Sequence, residues 1–518
     1  MSDTTSATAE SKPEEGVSTR SVLLVFAGLM VAMLLASLDQ TIFATALPTI
    51  VGELDGVDHM LWVTTAYILA STIMMPVYGK VGDLIGRKSI FIGAISLFLA
   101  GSVVGGLAHS MTVLIIGRAV QGLGGGGLMI LSQAIIADIV PARQRGKYMG
   151  VMGGVFALSS VAGPLLGGFF TEGIGWRWAF WMNLPLGVLA IVAAVFFLHL
   201  PAHDRTRPKI DVAGIMVLGL ASASLVLTSV WGGTTYAWNS PVILGLIALT
   251  GLAVIGFVAI ERRATEPVMP LRMFRERNFN LTTAAGLIIG VAMFGALAYM
   301  PTYLQMVTGA GATKAGLLMI PMMGGLLVTS TLSGQRVSKT GRYKTFPVVG
   351  TLIVGVALTL MSTMTASTPV VVICTYLAIM GIGLGLAMQI LILIVQNTFP
   401  AREVGTATAS NNYFRQIGAS LGSAVVGTIF TARLTDLLTG ANLGSGSGDA
   451  NSLTPDAVHQ LPAAIQSTVV GAYSDALTPV FLYLMPLLAI AAVLLAFVKE
   501  DPLATVIERT PEEAVLAA

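Results

Sequence analysis

The chain has 518 residues, of which 55% are hydrophobic and only 10% charged, with a net charge of +2. Soluble globular chains carry about 25% charged residues, so a water-facing surface of this size is excluded and a lipid bilayer is the expected solvent. The single cysteine, Cys374, excludes an intrachain disulfide, and without a Cys/His cluster no metal site is expected.

In chain order, residues 1–20 (MSDTTSATAESKPEEGVSTR) read as a short disordered tail, not as a cleavable signal peptide. Apolar runs follow at 22–47, 61–79, 89–108, 112–137, 148–170, 179–199, 212–231, 241–260, 280–304, 315–334, 345–364, 369–396, 404–432 and 476–498. Each approaches the ~20 residues that a helix needs to cross ~30 Å of hydrocarbon, so an all-α membrane protein of fourteen spans is expected. Connections are short, except for the basic segment 261–278 and the polar loop 433–475. Within that loop, TPDAVHQLPAAIQ reads as a short surface helix with Thr454 as cap and Pro455 at its first position. With the N-terminus inside, all but five of the 28 Lys and Arg fall on the cytoplasmic side. Arg177, Lys314 and Arg433 lie outside, and Arg118 and Arg415 lie within spans. This is the positive-inside bias. It places both termini in the cytoplasm of a multi-pass protein of the bacterial cytoplasmic (inner) membrane.

The chain also repeats itself. QGLGGGGLMILSQAIIADIVPARQRG (121–146) matches MGIGLGLAMQILILIVQNTFPAREVG (380–405), with Gly122 on Gly381, Gly124 on Gly383, Pro141-Ala-Arg on Pro400-Ala-Arg and Gly146 on Gly405. GKVGDLIGRK (79–88) matches GQRVSKTGRY (334–343), so Gly79, Gly86 and Arg87 recur as Gly334, Gly341 and Arg342. Spans 1–6 therefore recur as spans 9–14, and spans 7 and 8 have no copy. The expected organisation is a tail (1–20), a six-helix bundle (21–199), two inserted spans with a basic linker (200–278), a second bundle (279–498, including the loop 433–475) and a cytoplasmic tail (499–518). Repeated halves point to a transporter with its site at mid-membrane between them.

Four stretches carry chemistry. In LDQTIFATALP (38–48), Asp39 is the one acid well inside a span. A carboxylate there costs about 2.5–3.5 kcal/mol on insertion scales and is a functional candidate by default, although it could also serve as a structural bond between helices. In GKVGDLIGRK, an acid sits in a basic, glycine-containing loop, suited to pairing with arginine or a helix N-terminus. In RAVQGLGGGG (118–127), Arg118 lies about 10 Å deep at 1.5 Å per residue. There it could meet Asp39 and tune its protonation, or snorkel to the outer interface. In VAGPLLGGFF (161–170), Pro bends the helix and Gly permits close approach. WRWAFWMNLPLG (176–187) follows, its tryptophans read as interfacial anchors first and substrate contacts second. Arg415 could bind an anionic substrate group, pair with an acid or bond helix carbonyls. Gln121, Gln389, Asn411 and Asn412, together with Arg415, are candidates to line a substrate cavity. No phosphate loop is present, so an ATP-driven pump is not expected.

These stretches resemble the fourteen-span drug:proton antiporter branch of the major facilitator superfamily, across nearly the whole chain. The resemblance implies a major facilitator fold and no enzymatic activity. Asp39 and Arg118 would couple protons, with Ala44 standing where the family pattern has Asn. Gly79, Asp83, Gly86, Arg87 and Lys88 would form a conformational latch, one-sided because Ser338 stands where the second half would repeat Asp83. Gly163, Pro164, Gly167 and Gly168 would form the antiporter motif, a hinge and seal found in exporters. The expected partners are lipophilic, often cationic, drugs or antiseptics, protons and the bilayer. No cofactor, metal or nucleic acid is expected, and the protein should act as a monomer. Export of a native metabolite or of lipid is the alternative, and a membrane-embedded enzyme or receptor is a more distant one.

Overall fold

The computed structural model describes residues 19–54, 59–198, 200, 209–233, 235–440 and 458–505. Fourteen apolar helices carry the chain back and forth: α1 (Thr19–Glu53), α2 (Met60–Ile85), α3 (Arg87–Gly106), α4 (Met111–Ile139), α5 (Ala142–Phe169), α6 (Asn183–Phe197), α7 (Val212–Trp231), α8 (Pro241–Glu261), α9 (Arg277–Leu297), α10 (Ile320–Thr340), α11 (Thr345–Met361), α12 (Val370–Thr398), α13 (Val404–Gly440) and α14 (Ala463–Ala496). Among the described residues thirteen segments are long and apolar enough to cross a membrane, α6 together with the short turn Trp178–Trp181 before it, and α11 is shorter at 17 residues. They coincide with the apolar runs of the sequence. Side-chain oxygens cap several starts: Ser110 accepts from Val113 N at α4, Asp211 from Gly214 N at α7, and Ser240 precedes Pro241 at α8.

The expected 433–475 loop is narrower than the sequence suggested, because α13 runs on to Gly440 and α14 begins at Ala463. Apolar character marks the membrane-crossing part of a helix and is silent about its polar extension. Thr454 and Pro455 lie outside the described residues, as do residues 1–18 and 506–518.

Each half has its own apolar core. Leu29, Phe91, Phe98 and Leu131 centre one, while Tyr303, Leu358, Leu377 and Phe481 centre the other. The halves meet along two seams, α2 against α13 and α5 against α10. Under the repeat, α2 corresponds to α10 and α5 to α13, so one seam is the image of the other. The repeated glycines make the contacts. A Cβ on Gly79 would lie 2.7 Å from the Gly405 carbonyl oxygen, and one on Gly146 would lie 2.8 Å from that of Gly334. Only glycine allows backbones to come so close.

The unrepeated pair α7–α8 covers the α2–α13 seam. Ser222 on α7 bonds the Tyr413 hydroxyl of α13 at 2.8 Å, and Trp231 stacks edge-on against Trp62 of α2. The α8 helix lies outermost, with only 17% of its apolar window buried.

Lys80, Arg87, Arg143, Arg145 and Lys499 gather on one face of the molecule, called here the basic face. The segment after α14 lies across it as a strap. Glu500 accepts from the Tyr343 and Lys344 N–H groups at the start of α11, and Asn278 of α9 bonds Lys499 and Asp501. The Ala504 carbonyl then accepts from Arg143 N of α5 in the first half. Residues 499–505, the start of the expected cytoplasmic tail, are thus docked on both halves.

Candidate functional site

Asp39 is fully buried, about 21 Å from the Glu53 end of α1 at 1.5 Å per residue. Arg118 of α4, also buried, forms an ion pair with Asp39 Oδ2. Gln121 Nε2 donates to Asp39 Oδ1 at 3.0 Å, and Asn183 Nδ2 of α6 donates to the same oxygen at 3.1 Å. Ser102 Oγ of α3 accepts from both amides, at 2.8 and 3.2 Å. Arg118 further donates to Gln121 Oε1 and to the Val63 carbonyl of α2, and is sandwiched between the Phe43 and Tyr67 rings. Five helices of the first half thus converge on one carboxylate. The pair is charge-neutral and every oxygen of the acid is bonded, the condition under which a buried ion pair is tolerated.

Asp39 and Arg118 thus lie in contact, and Arg118 does not snorkel to the surface. Gln121, read as a cavity residue, instead belongs to this network and lies in a different half from Gln389, Asn411, Asn412 and Arg415. Asn183 and Ser102 were not singled out from the sequence, although Asn183 stands out as an amide in the apolar stretch that follows the tryptophans.

The antiporter stretch packs beside the pair. Gly163 and Gly167 of α5 leave room for Thr41 and Thr45 of α1, and Thr41 Oγ1 donates across to the Ser159 carbonyl at 2.9 Å. On its other flank Pro164 approaches Gly316 of the second half, and Gly168 faces Thr313. Beyond Phe169 the helix widens into a π turn, Phe170–Ile174, ended by Gly175 at φ +102°. Trp176 is a correction to its reading as an interfacial anchor. It is buried, and its indole donates to Glu53 Oε2 at 2.7 Å, while Arg177 donates to Glu53 Oε1 at 2.6 Å. Hydrogen bonds from Arg177 and then Trp176 hold the Glu53 carboxyl below the usual carboxylate value.

At the basic face, Asp83 spans the halves. Its Oδ2 accepts from Thr406 N at 2.7 Å and Thr406 Oγ1 at 2.8 Å, and its Oδ1 accepts from Gly405 N at 3.2 Å. The carboxylate therefore caps the N-terminus of α13, where the helix dipole favours negative charge. Arg87 fixes Asp83 from behind through Nη2 at 2.6 Å, and also pairs with Asp138 and donates to the Ala401 carbonyl. Gly86 makes the α2–α3 turn at φ +96°, a value that suits glycine. Lys88 turns away and donates to the Val195 carbonyl of α6.

The second seam carries the opposite charge. Arg143 of α5 donates to the Ser338 and Lys339 carbonyls at the C-terminus of α10, and Arg145 donates to the Gln396 carbonyl near the end of α12. Ser338 replaces the acid of the first half, yet its position still joins the halves. Polar ties thus cross both seams, a carboxylate on a helix start at one and a guanidinium on a helix end at the other.

In the second half, Asn411 bonds Thr283 of α9, and Asn412 Nδ2 bonds Gln133 Oε1 of α4 across the halves at 3.0 Å. Gln396 also reaches the Gln133 carbonyl at 3.1 Å. Arg415 donates to Asn412 Oδ1. Gln389 borders Gly153 of α5.

Residues 29–423 match the Major Facilitator Superfamily. The chain belongs to this superfamily. An uncharacterized MFS-type transporter of Mycobacterium tuberculosis is 42% identical over 93% of this chain and 70% of its own length. The multidrug transporter protein MdtP of Bacillus subtilis is 36% identical over 94% of each chain, and multidrug resistance protein 3 of the same organism is 34% identical over 95% of this chain and 98% of its own. In fold the chain resembles the human organic anion transporter MFSD10 (TM-score 0.62, 14% identity, 91% of this chain and 99% of that one). It also resembles the proton:xylose symporter XylE (TM-score 0.61, 15% identity, 94% of this chain and 98% of that one). This superfamily member is a multi-pass membrane transporter and not an enzyme.

Proposed function

We propose that this transporter is a proton-coupled exporter that moves lipophilic drugs or antiseptics out across the cytoplasmic membrane. The Asp39–Arg118 pair carries the reading. A lone carboxylate, sealed from water and held by donors from α4 and α6 that are themselves braced by α2 and α3, can exchange a proton only when those helices part. That requirement ties its protonation to the movement of the halves. The multidrug relatives, at 34–36% identity over nearly full length, support export. Segregation of Lys and Arg to the latch face supports cytoplasmic termini, so the closed latch is an outward-facing or occluded state. One proton moving through 100 mV supplies about 2.3 kcal/mol, enough for a useful gradient.

The test uses everted vesicles energised to an acid interior. Addition of a transported compound should release protons from wild-type vesicles, and Asp39→Asn should abolish the release. A mutant that still collapses the gradient on substrate addition would remove Asp39 from the coupling.

A further inference from the structure

Arg415 stands apart from the other buried arginines. Arg87 pairs with Asp83 and Asp138, Arg118 pairs with Asp39, and Arg145 bonds three carbonyls. Arg415 has five N–H donors and, among the described residues, makes a single hydrogen bond, to Asn412 Oδ1, and no ion pair. It lies about 16 Å along α13 from Val404 at 1.5 Å per residue, close to the middle of a ~30 Å hydrocarbon core. Its side chain nonetheless remains partly accessible.

The Arg415 backbone packs on α9, where Gly290 leaves room for its carbonyl. Its guanidinium reaches back to Asn412, which bonds Gln133 of α4 in the first half, and Thr408 on the preceding turn bonds Gln396 of α12. The side chain is thus directed toward the seam between the halves. Gln389 lies two turns before Gln396 on α12, and Arg415 lies two turns after Thr408 on the antiparallel α13, so the two stand at the same height. Gln389 makes no side-chain hydrogen bond, and its Oε1 is buried without a partner. Gly153 of α5 lies beside it, 3.4 Å from Gln389 Nε2 when measured from a Cβ built on the glycine.

We propose that Arg415, with Asn412 and Gln389, forms a substrate subsite between the halves that takes the acidic group of a lipophilic organic anion: a carboxylate, sulfonate or phosphate on an apolar body. The inference rests on the transport reading above and changes its substrate class, since cationic compounds were expected. Asp39, the one deep carboxylate, is neutralised by Arg118 on another side of the first half. Among the described residues Arg415 is the mid-membrane arginine without a carboxylate partner, so a cationic ligand meets repulsion there and an anionic one supplies the missing partner. The guanidinium offers its free N–H groups to the acid, and the idle Gln389 amide can donate to the same group or accept from a neighbouring ligand N–H.

The test is equilibrium binding of a matched pair of probes, 4-(1-pyrenyl)butyrate and 4-(1-pyrenyl)butyltrimethylammonium. Full-length protein in phosphatidylcholine nanodiscs is used, with energy transfer from protein tryptophan as the signal. No pH gradient is involved, so a failure of proton coupling leaves this measurement intact. Wild type should bind the carboxylate at least tenfold more tightly than the ammonium probe. Arg415→Gln should lose that preference through a roughly tenfold or greater weakening of the carboxylate, and Arg415→Lys should retain the preference. Equal or tighter binding of the ammonium probe by wild type would overturn the proposal. So would an anion preference that survives in Arg415→Gln. If Arg415→Gln does not fold, the wild-type probe comparison and Arg415→Lys still decide. Displacement of the carboxylate by nanodisc phosphatidylglycerol would assign the subsite to a lipid headgroup and also overturn the substrate reading, whereas insensitivity to that lipid supports it.

Discussion

Replacing Asp83 with Asn should open the basic face. In the closed state the carboxylate accepts two N–H bonds and one O–H bond from Gly405 and Thr406 of the opposite half. All three are lost when α2 leaves α13, whereas its bonds to Arg87 lie within one half and remain. Asn keeps the shape but removes the charge, and it turns an NH₂ group toward donors. Truncating one partner of a buried, hydrogen-bonded charge costs about 2–5 kcal/mol. Even the lower figure shifts the closed-to-open ratio by about 30-fold, since each 1.4 kcal/mol is a factor of ten. Spin labels at Ser89 on α3 and Arg342 before α11, both exposed and one in each half, would report the change by pulsed dipolar spectroscopy. The variant should populate a longer distance that is minor in the parent. An unchanged distance distribution would refute the assignment of Asp83 as the cross-half tie.

Gly334→Ala should act on the other seam, because its Cβ would overlap the Gly146 carbonyl oxygen; the same labels should report opening, and a closed distribution would show that α5 and α10 can slide apart without cost. Asp39→Asn should lower thermal stability by about 3–5 kcal/mol, as it strands the buried Arg118 charge. Adding Arg118→Gln should restore most of the loss, and additive losses in detergent melts would mean that the two side chains are not coupled. Glu53 offers a pH test. Its carboxyl is lowered in the folded state, so its tie to Arg177 and Trp176 contributes above the ordinary carboxylate value and is lost as pH falls through the lowered one. Wild type and Glu53→Gln should therefore differ in Tm at neutral pH and converge once the pH has fallen below the lowered value; a gap that persists in acid would contradict the tie.

Asp39 and Arg118 were legible because a charge in lipid is too costly to be incidental. Of their amide partners Gln121 was read as a cavity residue and Asn183 was not singled out, because Asn and Gln are tolerated in membrane helices as ordinary interhelical bonds. Asn183 acquires its meaning only once α6 packs on α1. The accepting carboxylate could be read from GKVGDLIGRK, but its partner could not. The partner is the backbone N–H pair at the start of α13, and backbone groups leave no letter in a sequence. Arg143 was visible in the repeated Pro-Ala-Arg, yet its role depends on α10 ending beside it. Trp176 was misread because a tryptophan near a helix end has the same signature whether it meets headgroups or an acid such as Glu53.

The docked strap makes the far end of the chain a working part of the gate. Its hold on α9 and α11 is internal to one bundle, but the Ala504–Arg143 bond crosses to the other, so parting α5 from α10 must peel the strap as it goes. Shortening the protein to Phe497 would then lower the barrier to opening, and a bulky reporter fused at residue 505 would tug on the very movement it was added to observe.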